Sequence, residues 1–96
     1  MDKRFIPLSP AEAIQARRAL TEELAADPGM PIPAVIKKIR TSLRFTIAEY
    51  AKLCGVSART LQDIEREVSS PSLATVEKLL CPMGMVLSAV PKSSSR

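Results

Sequence analysis

Apolar positions recur at helical spacing through most of this chain. Ala13, Ala16, Leu20 and Leu24 lie three or four residues apart and form one apolar side, while Arg17, Arg18, Glu22 and Glu23 fall on the other. Ser9-Pro10-Ala11-Glu12 comes just before them. It supplies a capping serine, a proline suited to the first helical position and a glutamate at the third, so a helix is expected to start here. Asp27-Pro28-Gly29 ends it. Residues 30–33, with Pro31 and Pro33, read as a stiff connector. Ile32, Ile36, Ile39 and Leu43 then repeat along one face, predicting an amphipathic helix over 34–42 with Lys37, Lys38 and Arg40 off the apolar stripe.

Thr46-Ile47-Ala48-Glu49 is a second capping box and predicts a short helix to about Cys54, stopped by Gly55. Ser57 caps a further helix through about Arg66, with Leu61, Ile64 and Val68 expected inward. After the break at Ser69-Ser70-Pro71, another helix is expected to bury Leu73, Val76, Leu79, Leu80 and Met83. Pro82 lacks an amide proton, which should end or kink that helix near Leu80. From Met85 the pattern changes. Met85, Val86, Leu87, Ser88, Ala89 and Val90 form a short run rich in Val and Leu, read as a strand that Pro91 terminates. Residues 1–8 form an irregular lead-in, and 92–96 a frayed polar tail.

These elements predict an all-α fold with a short C-terminal strand. The chain divides into an N-terminal arm and helix (1–33), a central helical unit (34–84), and a closing strand and tail (85–96). Ninety-six residues suffice for one modest core but not for a second, catalytic domain. That core must be aliphatic, since Phe5, Phe45 and Tyr50 are the only aromatics. The net charge of +4 is unevenly placed. Residues 1–33 hold four basic side chains against five acidic, whereas residues 34–66 hold seven against three. On charge alone, the central excess fits a polyanion-binding surface and a solvated helix face equally well.

Cys54 and Cys81 fall within apolar helical patterns, without a CxxC or a nearby ligand set. They read as small core residues of a reducing cytosol, with neither a disulfide nor a metal expected. No signal peptide, long apolar run or lipidation motif is present, so a soluble cytoplasmic protein with no membrane partner is expected. No cofactor motif appears. The chain has no histidine, and its carboxylates are scattered along helix surfaces, so no enzyme is expected.

The central segment carries the most specific pattern. Two short helices crossing at a tight turn need a small residue at the crossing, a turn residue that tolerates positive φ, and apolar inner faces. Ala51 meets the first need, Gly55 the second, and Tyr50, Cys54, Val56, Leu61 and Ile64 the third. At these residues the chain resembles the Xre/Cro family of helix-turn-helix regulators, which includes the lambdoid phage repressors and HipB-type antitoxins. The likeness runs over about 34–85, through Thr46-Ile47-Ala48-Glu49-Tyr50-Ala51, Gly55-Val56-Ser57 and Thr60-Leu61-Gln62-Asp63-Ile64-Glu65. It continues in Ser70-Pro71-Ser72-Leu73 and in Met83-Gly84-Met85.

The resemblance implies a five-helix, lambda-repressor-like DNA-binding domain that works as a dimer, to which the N-terminal helix would be an addition. With Leu61 and Ile64 inward, Ala58, Arg59, Gln62, Asp63 and Arg66 face out. Arg59 is expected to pair with a guanine edge, Ala58 to touch a thymine methyl, and Gln62 and Asp63 to contact adenine or cytosine edges. Ser57, Thr60 and Arg66 are phosphate candidates, and Lys37, Lys38, Arg40, Arg44 and Lys52 are expected to anchor the backbone. Plainer roles stand beside these: an N-cap for Ser57, surface pairs for Glu65 and Arg66, and a core position for Tyr50 with its hydroxyl at the edge. The chain departs from the family pattern at Ile47, where a polar residue usually supports a phosphate contact, and at Tyr50, where Leu is usual.

The expected partners are double-stranded operator DNA, a second copy bound through residues 85–90, and a toxin if the chain is an antitoxin. The expected function is a homodimeric repressor in the cytoplasm, associated with the nucleoid. The alternative is an interaction module that keeps the helix-turn-helix fold without binding an operator.

Overall fold

Hydroxyl side chains start four of the helices in this chain. The computed structural model describes residues 7–89 and contains α1 (Pro10–Ala26), α2 (Ile32–Ser42), α3 (Ile47–Cys54), α4 (Ala58–Glu65) and α5 (Leu73–Leu80), followed by a 3-10 turn, Cys81–Met83. Ser9, Thr46, Ser57 and Ser72 each accept a hydrogen bond from the amide three residues on, at 3.2, 3.1, 3.0 and 3.1 Å. For α1 and α3 the reciprocal bond is present too: the Ser9 and Thr46 amides donate to Glu12 and Glu49, both at 2.9 Å. Both predicted capping boxes therefore form. α2 starts differently, at Ile32 rather than Ala34. Pro31 occupies its N-cap and Pro33 lies in its first turn, where a helix has no use for the missing amide proton.

The ends of α2, α3, α4 and the 3-10 turn share one geometry. After α2, the amides of Arg44 and Phe45 donate back to Thr41 and Arg40, both at 3.1 Å. After α4, Glu67 and Val68 donate to Ile64 and Asp63, both at 3.0 Å. Gly55 with Val56, and Gly84 with Met85, repeat the pattern after α3 and after the 3-10 turn. This is the Schellman closure, which needs one residue in the left-handed region. Glycine fills that place twice, at φ 78° and 67°; Arg44 and Glu67 adopt it at 59° and 60° despite their Cβ atoms.

The core is aliphatic apart from one ring. Ile36 and Ile39 of α2, Tyr50 of α3, Leu61 and Ile64 of α4 and Leu79 of α5 are all fully buried. Leu20 and Leu24 of α1 join the same cluster. α1 thus packs as one of the five α-helices around one core. Arg17 of α1 also donates to the carbonyl of Pro82 in the 3-10 turn. Tyr50 lies deeper than expected: its hydroxyl donates to the carbonyl of Leu79 at 2.6 Å, and its ring sits 5.8 Å from Phe45.

Several expected core positions lie outside. Val68 is 68% exposed, because the closure after α4 turns the chain outward there. Leu73 is 74% exposed as the first residue of α5, before the helix meets the core. Cys81 is exposed too. The expected strand over 85–90 is not formed: among the described residues there is no strand, and 85–89 run without regular structure. Met85 and Leu87 pack against the core while Val86 between them faces solvent. The segment alternates as a strand would, but it has no neighbouring strand with which to build a ladder. Val90, the lead-in residues 1–6 and the tail 92–96 lie outside the described residues.

Candidate nucleic-acid interface

The α3–α4 junction is set by small residues and one turn. Ala51 is buried where the two helices meet, so α4 approaches without a larger side chain in the way. Gly55 reverses the chain in the left-handed region, and the Val56 amide returns to the Ala51 carbonyl at 3.0 Å. Leu61 and Ile64 then pin α4 by its inner face.

A second anchor holds the far end of α4. Arg40 of α2 donates to both carboxylate oxygens of Glu65, at 2.7 and 2.9 Å, and to the carbonyl of Phe45 at 3.0 Å. The side chains are 13% and 6% exposed. This bidentate pair ties α2, the α2–α3 turn and α4 together. Arg40, expected as a phosphate anchor, is committed inward and has little surface to offer a phosphate. Glu65 is structural, but its partner is Arg40 and not a neighbour on its own helix. Residues 25 positions apart cannot be paired by helical spacing, so only the composition of α2, with an arginine beside its apolar stripe, hinted at this contact.

The outer face of α4 carries the predicted base-reading residues together. Ala58 and Arg59 are exposed and Gln62 and Asp63 half-buried, with Arg66 exposed at the helix end. The Arg59 side chain is 83% exposed and reaches Asp63 only at 3.4 Å, a solvated pair one turn apart that releases easily. Ser57 has a defined duty: its oxygen accepts the Thr60 amide while its hydroxyl donates to the Thr60 oxygen at 2.8 Å. The cap keeps the first turn of α4 ordered beside Arg59.

The remaining basic candidates are spread over neighbouring elements. Lys37 and Lys52 are exposed on α2 and α3 and have no ion pair among the described residues. Lys38 is held by Glu23 of α1 at 3.1 Å. Arg44 is half-buried in the left-handed position after α2 and lines a cleft of about 280 Å³ with Arg17, Leu43, Phe45 and Leu53. Ile47, the departure from the family pattern, packs on the core. It therefore supports α3 from within where a polar residue would face a phosphate.

Burial pushes the Tyr50 phenol and the Cys54 thiol above their ordinary ranges, so both stay protonated near neutrality. Glu12 moves the other way, because the Ser9 backbone amide and hydroxyl stabilise its carboxylate.

The helix-turn-helix family model matches residues 36–86, a little over half of the chain. The chain belongs to the Xre/Cro-type helix-turn-helix family. No curated protein and no solved structure matches it. The matched span of this helix-turn-helix protein covers α3, Gly55 and α4, together with most of α2 and all of α5; α1 lies before it. Membership supports a DNA-binding regulator. Among the described residues, no helix is long and apolar enough to cross a membrane.

Proposed function

We propose that this helix-turn-helix protein is a sequence-specific transcriptional repressor, a binding protein and not an enzyme, that docks α4 in the major groove of operator DNA. The observation that carries the reading is the outer face of α4. A rigidly anchored helix presents Ala58, Arg59 and Gln62 together, with a largely exposed guanidinium near its start. Arg59 reads a guanine, Gln62 an adenine, and Ala58 a thymine methyl. Asp63 holds Arg59 in the free protein and is available to a cytosine amine once Arg59 turns to the bases. Thr60 and the α4 amides, with Lys37, Lys52, Arg44 and Arg66, meet phosphates.

In this reading the protein acts as a homodimer on a palindrome, in the cytoplasm and at the nucleoid. Residues 85–89, whose side chains alternate between core and solvent as in a strand, support strand-to-strand dimerisation. The small size and the closing segment also fit the antitoxin of a toxin–antitoxin operon, in which a toxin is the second partner.

A second reading has its own support. Val68 and Leu73 are exposed at the α4–α5 connection, and Ile47 replaces a polar phosphate contact. These features suit an interaction module that no longer binds an operator. Titration of the protein against its own promoter fragment across salt separates the two. Operator readout gives specific binding that weakens steeply with salt, and Arg59→Ala costs about 1–3 kcal/mol, a loss of roughly 5- to 150-fold. Absence of binding at low salt by folded protein would leave the interaction module.

A further inference from the structure

Two cysteines distant in sequence meet at one groove. Cys54 is the last residue of α3 and Cys81 opens the 3-10 turn after α5, and both line an open cleft with Leu53, Ala74 and Pro82. Their placement is fixed by neighbouring contacts. Tyr50 lies one turn before Cys54 on the same face of α3 and donates its hydroxyl to Leu79, two residues before Cys81. The Cys54 thiol lies beside that hydroxyl and within electrostatic reach of Cys81. The turn carrying Cys81 packs directly against α3. The two sulfurs differ in access: Cys81 is open to solvent and Cys54 is buried. An accessible thiol that oxidises first, with a second thiol beside it to resolve the product, is the arrangement redox-responsive cysteines use in reducing compartments.

We propose that Cys54 and Cys81 are a peroxide-oxidisable pair that closes an intramolecular disulfide between the end of α3 and the end of α5. The Cys81 sulfur attacks one oxygen of hydrogen peroxide. The O–O bond breaks, an S–O bond forms, and the departing hydroxide leaves as water with the thiol proton. The Cys54 sulfur then attacks the Cys81 sulfur, the S–O bond breaks, and a second water carries away the Cys54 proton. Two thiols lose two electrons, and peroxide is reduced to two waters. All of α4 and α5 lies between the two cysteines in sequence, so the bond closes a loop around the outward-facing helix. The pairing of the thiols holds whether or not α4 reads DNA.

The test uses the full chain, freed of reductant and treated with a small excess of hydrogen peroxide. It is then unfolded, alkylated with iodoacetamide, digested without reduction and analysed by mass spectrometry. The expected product is a single chain lighter by two hydrogens, with the peptides containing Cys54 and Cys81 joined and neither thiol alkylated. In Cys81→Ser, Cys54 should remain alkylatable after the same treatment, because burial shields it from peroxide. The proposal is overturned if Cys54 of the wild-type chain is still alkylated once Cys81 has been oxidised, whether Cys81 then carries oxygen or bridges two chains. The wild-type peptide map decides the matter even if a variant folds poorly.

Discussion

Replacing Glu65 by glutamine keeps the shape of the side chain and removes its charge, leaving Arg40 as a largely buried guanidinium without a counterion. Three hydrogen bonds now hold Arg40, two to the Glu65 carboxylate and one to the Phe45 carbonyl. A glutamine retains one acceptor and turns its amide protons toward the other donor. Removing one partner of a buried pair costs about 3–5 kcal/mol. The Phe45 bond survives and Arg40 keeps 13% exposure, so the lower end, about 3 kcal/mol, is expected. With an unfolding entropy of about 2 cal/mol/K per residue, that lowers the melting midpoint by about 15 °C. Circular dichroism melts and urea titrations at fixed protein concentration measure both quantities.

The double variant Arg40→Met/Glu65→Met removes both charges and should return to within about 1 kcal/mol of wild type, since apolar replacements of such pairs are tolerated. If Glu65→Gln costs less than about 1 kcal/mol, the pair is worth no more than a surface ion pair and the anchoring of α4 by α2 is refuted. The double variant also tests the inward assignment of Arg40. Its DNA affinity should keep the wild-type salt dependence, whereas loss of a phosphate contact would lower the slope by about 0.9.

Other outcomes follow from single sites. Glu67→Gly relieves a left-handed residue bearing a Cβ, worth about 1–2 kcal/mol, against a glycine entropy cost of about 0.5–1 kcal/mol; a net gain of about 0.5–1 kcal/mol should appear in urea titrations, and a loss would contradict the strain. Tyr50→Phe leaves the Leu79 carbonyl without its buried donor and should cost about 1–2 kcal/mol in the same assay. Because burial raises the Tyr50 phenol in the folded state, its stability contribution is intact below the ordinary tyrosine range, about pH 10, and is lost as pH rises beyond it. Alkaline melts of Tyr50→Phe should lack that part of the decline. Ala51→Leu overpacks the crossing of α3 and α4 and should cost about 1–3 kcal/mol; an unchanged melting midpoint would show that the crossing has room.

Local chemistry makes most helix boundaries legible along the chain. Ser9, Thr46 and Ser57 cap because a hydroxyl three residues ahead of an amide needs no tertiary help, and Gly55 ends α3 because only glycine enters the left-handed region without strain. The period of Ile36, Ile39, Leu61 and Ile64 marks the inner faces for the same reason, and the outer face of α4 follows as its complement. What the pattern misjudges lies at element ends and across elements. Val68 and Leu73 fit the apolar stripe by spacing, yet they sit where a helix has just ended or just begun and the core is out of reach.

The chemistry of residues 85–89 suits a strand, but a strand exists only when another chain segment lies alongside, which no local pattern supplies. Arg40 has the pattern of one more exposed cation, and only the packing of α2 on α4 brings it to Glu65. Cys54 and Cys81 have the pattern of isolated small residues, and only the packing of α3 against α5 and the 3-10 turn, with the Tyr50–Leu79 bond across it, brings them to one groove. The sequence by itself determined where helices start, stop and turn their apolar sides, because those depend on neighbours a few residues away. Tertiary structure alone decided which charges are buried and which thiols share a groove, because both depend on distances across the core that spacing along the chain does not encode.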